Sequence, residues 1–273
     1  MIIYLAGTYS RPFVIEETMK LYLAGGNIGY KWVGDYNEIM INDKPYILES
    51  FYYIKDQIKW IMKMRPFFKD FLLDSGAFTF MNNKGLKCDW DLYVQQYAEF
   101  INKYNIELFF ELDIDSVVGL KEVERLRVKL ETLTNKKCIP CWHKNRGLEY
   151  WRKMAKDYNY IAVGTTSKGL KSDGTTRGKL MAIMPKLLQI AKENNCKVHG
   201  LGFTNMEGME KYKFHSVDST AWLYGNRGGF LYQFNGETLD KIHPKGLRLK
   251  GRAAAIHNFN EWIKFQKYAE NNL

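Results

Sequence analysis

Two acidic motifs far apart in the chain carry the residue types for paired carboxylate chemistry. They are Leu72-Leu73-Asp74-Ser75-Gly76-Ala77-Phe78 and Ser216-Val217-Asp218-Ser219-Thr220-Ala221-Trp222. Each sets one aspartate between an apolar, β-prone run and small residues that let the backbone turn. If both runs are strands of one closed sheet, both carboxylates emerge at its rim and converge on one ligand. One can then attack carbon while the other moves protons. Asp-Ser-Gly alone is ordinary turn chemistry, and Asp218 alone reads as a loop cap. The matched layout makes the two a catalytic pair.

Further polar residues fall at the ends of other apolar runs. Glu111-Leu112-Asp113-Ile114-Asp115 alternates, so three carboxylates share one face and need metal, partners or water. Magnesium suits such a face chemically; the favoured reading has one acid accept hydrogen bonds from a ligand while the others are structural. His143 ends the run from Cys138 after Pro140 and Trp142, a strand-terminus placement that suits a pocket. Gly164 and Thr165 end Ile161-Ala162-Val163, where bare backbone can bond a flat ligand edge. His199, before Gly200-Leu201-Gly202, is a weaker candidate, and those glycines suit close backbone approach to something at a strand end. Cys138 and Cys141 point to opposite faces of an extended segment, and no second cysteine pair completes a tetrahedral set, so structural zinc is not expected.

The elements that must position these residues alternate between strand-like and helix-like. Strands are predicted over Ile2–Ala6, within Tyr46–Tyr53, and over Phe71–Ser75, Leu108–Asp113, Cys138–His143, Tyr160–Gly164, Lys197–Phe203 and Phe214–Ser219. Helices are predicted over Asp89–Tyr104, Leu120–Thr134, Leu148–Tyr158 and Lys179–Asn194, the last starting nearer Pro185 if proline sets its first turn. About eight strand–helix units in one chain predict a (β/α)8 TIM barrel. With no repeat or linker, residues 1–273 read as a single domain. A helix over Ala253–Tyr268 closes it, after a basic lead-in of Lys241, Lys245, Arg248, Lys250 and Arg252. An open doubly wound sheet is the runner-up, and it lacks Gly-x-Gly-x-x-Gly after the first strand.

Composition bounds the partners. The chain has 273 residues, 46% hydrophobic, and a formal charge of +10, which points toward a polyanion such as nucleic acid. No 18-residue apolar run exists, so no membrane partner is expected. The first residues carry no basic leader, and four cysteines without a secretion signal fit reduced thiols in a cytoplasm.

Taken in order, Leu73-Asp74-Ser75-Gly76-Ala77-Phe78, Glu111-Leu112-Asp113, Pro140-Cys141-Trp142-His143, Ile161-Ala162-Val163-Gly164, His199-Gly200-Leu201-Gly202 and Val217-Asp218-Ser219-Thr220-Ala221-Trp222 span most of the chain. This ordered set resembles the tRNA-guanine transglycosylase superfamily. Within it, the set looks most like the phage and bacterial branch that places 7-deazaguanines, such as preQ0, in DNA. The resemblance implies a (β/α)8 barrel and a pentosyltransferase that exchanges bases without a cofactor. The aspartate matching Asp218 attacks the anomeric carbon, and the one matching Asp74 moves protons at the base. Ser75 and Phe78 then lie beside the heterocycle, Asp113 bonds its purine-like edge, and Gly164 offers backbone to it. His143 stands where many members carry glutamine. Phe78, Trp142 and Trp222 are flat surfaces that could receive an extruded base.

The tRNA enzymes of that family usually carry a Cys-x-Cys-x-x-Cys zinc site with a later histidine, and archaeal ones add RNA-binding domains. Neither feature is matched here, which favours DNA over tRNA as the expected partner, alongside the free base. Related enzymes often dimerise, which leaves a homodimer open. A tRNA-directed enzyme, a catalytically silent nucleic-acid-binding barrel and a sugar-processing barrel with paired acids remain alternatives.

Overall fold

The computed structural model describes residues 20–24, 44–56, 58, 65–82, 87–164, 175–203, 206–223, 228–243 and 252–273. The predicted strand Ile2–Ala6, Thr165, Lys245, Arg248, Lys250 and the side chains of Phe78 and Arg252 lie outside that description.

Eight strands form one sheet: β1 Lys20–Ala24, β2 Tyr46–Ser50, β3 Asp70–Asp74, β4 Leu108–Phe109, β5 Cys141–Trp142, β6 Tyr160–Gly164, β7 Lys197–Leu201 and β8 Ser216–Ser219. Their order is β4-β3-β2-β1-β8-β7-β6-β5, so neighbours in space are neighbours in sequence, with β8 beside β1. A parallel bridge between Phe110 and Ile139 joins the two ends of that order, β4 and β5. The pairings β1–β2, β1–β8, β3–β4, β5–β6 and β6–β7 are parallel. Helices separate most strands, and this cyclic parallel order is that of a (β/α)8 barrel with an added C-terminal helix. By internal contacts the chain divides into two compact units.

One unit holds 50–56 and 72–201. Its helices are α1 Phe51–Ile54, α2 Ala77–Asn82, α3 Trp90–Lys103, α4 Asp115–Val118, α5 Leu120–Thr134, α6 Gly147–Asp157 and α7 Thr175–Glu193. Every residue of β6 is buried, as expected for a parallel strand covered on both faces. Asp89 caps α3 by accepting from the Leu92 N–H at 3.1 Å. Asn105, Asn135 and Asn195, at φ 46°, 52° and 53°, follow α3, α5 and α7 in the left-handed conformation and turn the chain toward the next strand.

Helix α7 departs from expectation. It begins at Thr175 and runs through Pro185 instead of starting near it. Leu180, Met184, Leu187 and Ala191 are buried on both sides of the proline, so packing of a continuous apolar face outweighs its lost hydrogen bond. The strands after Leu108 and Cys138 are shorter than predicted, because residues 112–114 and His143 leave the ladder to form loops. Residues 51–54 are helical, ending β2 at Ser50.

The other unit holds the described residues of 1–49, 57–71 and 202–273. Strand β1 was missed by sequence reading. Its Leu21, Tyr22 and Leu23 are at most 2% exposed, and it pairs with β2 and β8. Beyond α8, Met206–Tyr212, a hairpin of β9 Leu231–Phe234 and β10 Leu239–Ile242 packs against α9, Arg252–Asn272. Polar side chains on α9 satisfy strand backbone. Asn258 accepts from the Tyr232 N–H at 2.8 Å, Glu261 accepts from the Phe234 N–H at 2.7 Å, and Gln266 donates to the Leu21 carbonyl at 3.3 Å. Among the described residues no helix is long and apolar enough to cross a membrane.

Candidate active site

Polar side chains stand at the carboxyl ends of the strands, the end of a (β/α)8 barrel that carries chemistry. In the unit containing β6, Asp74 is the last residue of β3, His143 follows β5, Gly164 ends β6, and Asp113 lies in the loop after β4. Asp74 is half-buried and accepts from the Gly76 N–H at 2.8 Å. That turn requires glycine. Gly76 has φ +85°, and a Cβ on it would lie 2.5 Å from the Cβ of Tyr52. The Tyr93 hydroxyl donates to the Ser75 carbonyl at 2.6 Å. Burial, followed by the Asp74 charge, raises the Tyr93 phenol, so it stays a neutral donor.

The Ser75 side chain is buried and its hydroxyl has no hydrogen-bond partner among the described residues. The buried Ser50 hydroxyl, at the end of β2, likewise has no hydrogen-bond partner among the described residues and lies 3.2 Å from where a Cβ on Gly76 would fall. An unpaired buried hydroxyl costs on the order of 1–3 kcal/mol, which a bound polar ligand would relieve. Ser50 went unnoticed in the sequence.

Asp113 is the centre of a buried charge network. Its Oδ2 accepts from His143 Nε2 at 2.6 Å and its Oδ1 from Arg146 Nη2 at 3.0 Å. A carboxylate only accepts, so His143 carries its proton on Nε2. Arg146, whose side chain is 1% exposed, also binds Glu111 at 2.9 Å, Asp115 at 3.2 Å and the Cys141 carbonyl. Arg127 Nε lies 2.7 Å from Oε2 of Glu111, too oblique for a hydrogen bond but close enough for an ion pair. The sequence reading made one of the three acids a ligand reader and the other two structural; Glu111 is fully buried between two guanidinium groups, and Asp115 is bonded by Arg146.

Burial pushes the Glu111 carboxyl up, opposed by Arg127 and Arg146. Burial acts the same way on Asp113, but His143 and Arg146 outweigh it and hold the group below the usual carboxylate range. Burial would lower His143, yet the Asp113 charge wins and raises it. Gly164 completes the arrangement, since a Cβ there would overlap Nδ1 and Cε1 of the His143 ring.

One ligand atom each from Asp113, Asp115 and His143 lies within 4.8 Å of the others, a donor set chemically suited to a divalent cation. Arg146 already bonds two of these carboxylates, so a fixed guanidinium supplies the positive charge there. The four cysteines are free thiols, and burial raises Cys138 and Cys141 well above the usual thiol range.

In the unit containing β8, Asp218 is half-buried near the strand end and its Oδ1 accepts from the Gly202 N–H at 2.6 Å. The Ser219 hydroxyl accepts from the Ala221 N–H at 3.0 Å, which shapes the turn after β8.

Two expected base-facing residues, Trp142 and Trp222, and the weaker candidate His199 are corrected. Trp142 is 1% exposed, stands edge-on to Trp151 and donates Nε1–H to the Gly147 carbonyl at 2.8 Å. Trp222 is 2% exposed and edge-on to Phe259. Both are core residues, because their ring faces are covered by packing. His199 is fully buried against the ring of Phe110. Sequence reading also missed Arg127 and Arg146. Arg127 had left a signal: it falls on the buried stripe of α5 with Val123, Leu126 and Leu130.

No protein-family model matches this chain, and no curated protein sequence matches it significantly. Among solved structures it is similar to the carboxyl transferase domain of Rhizobium etli pyruvate carboxylase. The TM-score is 0.46 at 14% identity, covering 94% of this chain and 48% of that chain. A single-substitution form of the same domain with pyruvate gives a TM-score of 0.47 at 16% identity, with the same coverage. This chain thus spans about half the length of the structures it matches.

Proposed function

We propose that this protein is a transglycosylase that exchanges guanine in DNA for a 7-deazaguanine base. The observation that carries the reading is local to each motif. The residues of the ordered motif set that would do chemistry each stand at or just past the carboxyl end of their own strand. The buried hydroxyls of Ser50 and Ser75, without hydrogen-bond partners among the described residues and close to the Asp74–Gly76 turn, support a polar ligand there. The net charge of +10 supports a polyanionic partner.

In this reaction the target nucleotide leaves the helical stack. An Asp218 oxygen attacks C1′ as the C1′–N9 bond breaks, and the bond electrons pass to guanine. The Asp74 carboxyl supplies the proton that guanine needs, leaving a glycosyl ester on Asp218 and a carboxylate at Asp74. The incoming deazaguanine gives its ring proton to Asp74, and its nitrogen attacks C1′ and expels the Asp218 carboxylate. Asp113 and the Gly164 backbone hold the edge of the base.

The test is incubation with labelled 7-deazaguanine and either duplex DNA or tRNA. The expected result is label in DNA, with Asp218→Asn abolishing both exchange and any denaturation-resistant protein–DNA adduct. Label in tRNA alone transfers the chemistry to the other substrate, and no label in either polymer sinks the proposal.

A further inference from the structure

We propose that Arg146 is a positioning residue that, with His143, clamps Asp113 as an acceptor-only reader of a base edge bearing two adjacent N–H donors. This rests on the base-exchange reading, which already has Asp113 meet the base edge, and adds what holds Asp113 in place to do so.

The clamp grips one oxygen from each side. His143 Nε2 takes Oδ2 and Arg146 Nη2 takes Oδ1. Both come from one tight turn, closed by the Arg146 N–H donating to the His143 carbonyl at 2.9 Å. Arg146 cannot swing away, because Glu111, Asp115 and the Cys141 carbonyl hold its other nitrogens. Glu111 is fixed in turn by the Cys141 N–H at 2.8 Å and by Arg127. A planar guanidinium can hold several acceptors in fixed directions, which an ammonium cannot.

Each carboxylate oxygen has two acceptor sites, and the clamp uses one per oxygen. Among the described residues one lone pair per oxygen therefore stays available, and the Asp113 and His143 side chains keep 12% and 15% exposure. A ring N–H beside an exocyclic amino group matches this pair of acceptors. A 7-deazahypoxanthine edge offers only one donor and leaves one acceptor unmet, while an adenine-type edge sets a ring lone pair against negative charge. A site built for a hydrogen bond rejects analogues that lack it far better than an apolar pocket rejects a size mismatch.

Calorimetric titration of the protein with 7-deazaguanine and with 7-deazahypoxanthine tests this, because the two differ only in the 2-amino group. The wild type is expected to favour 7-deazaguanine by roughly 10- to 100-fold. Arg146→Lys keeps the charge but not the fork, and is expected to collapse that ratio to within about threefold. Unchanged selectivity, or equal weakening of both bases, overturns the clamp. If Arg146→Lys shows no cooperative melt, His143→Ala decides, since it removes one jaw and leaves the Arg146 brace in place; a retained ratio again overturns the clamp. A wild type that binds neither base overturns the base-exchange reading and this inference with it, whereas a wild type that discriminates alongside variants that also discriminate overturns the clamp alone.

Discussion

The backbone N–H of Gly202 donates to the Asp218 carboxylate at 2.6 Å. The Gly200-Leu201-Gly202 run had suggested close backbone approach to something at a strand end, and that something is the Asp218 carboxylate. Gly202 reaches it with φ +63°, a conformation that side chains disfavour. In the proposed mechanism, a hydrogen bond to this oxygen steadies the carboxylate and makes it a better leaving group when the second base attacks. Removing Asp218, the proposed nucleophile, should cost activity without costing the fold. Asp218→Asn is expected to lower exchange by roughly 10⁴-fold or more, with a melting curve close to wild type. A variant that still exchanges base at a tenth of the wild-type rate would move the nucleophile elsewhere. Gly202→Ala should fold less stably by about 1 kcal/mol from backbone strain, and its loss of kcat should exceed its change in KM.

Gly164 and His143 define a second dependence. The ring of His143 lies against Gly164 so closely that any Cβ there overlaps it. Gly164→Ala must therefore push the imidazole away from Asp113 or push β6 away from the ring. Overpacking of this kind costs typically 1–3 kcal/mol. The expected signature is a lower melting temperature together with weaker binding of 7-deazaguanine. Unchanged base affinity in Gly164→Ala would show that the ring position does not matter to the site.

Much of this arrangement was legible because apolar runs announce buried parallel strands. Tyr160–Gly164 and the helix Leu120–Thr134 match prediction to the residue, one being wholly apolar and the other strongly periodic. Lys20–Ala24 was illegible, since its four apolar residues form a shorter run than Ile2–Ala6. Its strand character comes from pairing with β2 and β8, contacts distant in sequence. The acids were legible as a group and their partners were not. Arg127 and Arg146 are cations, which sequence reading assigns to solvent by default. Only the fold brings Arg146 from the turn after β5 against the loop after β4. Trp142 and Trp222 failed for the opposite reason: their sequence neighbours suggested a pocket, but ring packing claimed both.

The cation-like donor set of Asp113, Asp115 and His143 gives a direct test of charge balance. Glu111, Asp113 and Asp115 face Arg127 and Arg146, with His143 as a further source of positive charge. A divalent cation added there would have to displace the guanidinium contacts. Exhaustive dialysis against a chelator should leave both base exchange and the melting temperature unchanged. A drop in either that magnesium or zinc restores would show that a metal belongs to the site and that Arg146 is only its resting substitute.

The His143–Asp113 pair also predicts a pH dependence whose sign follows from the two shifts. Asp113 is held below its usual range, so its share of stability is present above about pH 3.9 and fades as pH falls through its folded value. His143 is raised, so its share is complete below about pH 6.5 and is lost as pH climbs through its folded value. Arg146 stays charged throughout and does not contribute to the slope. The pair therefore stabilises most between about pH 4 and pH 6.5. Melting curves of wild type and His143→Gln, compared from pH 5 to pH 9, isolate the histidine from every other titrating group. The gap between them should be widest near pH 5.5 and shrink toward pH 9. A gap that is constant across the range would mean that the Asp113 charge does not raise His143 on folding, and a gap that widens toward pH 9 would mean that His143 holds Asp113 as a neutral donor throughout.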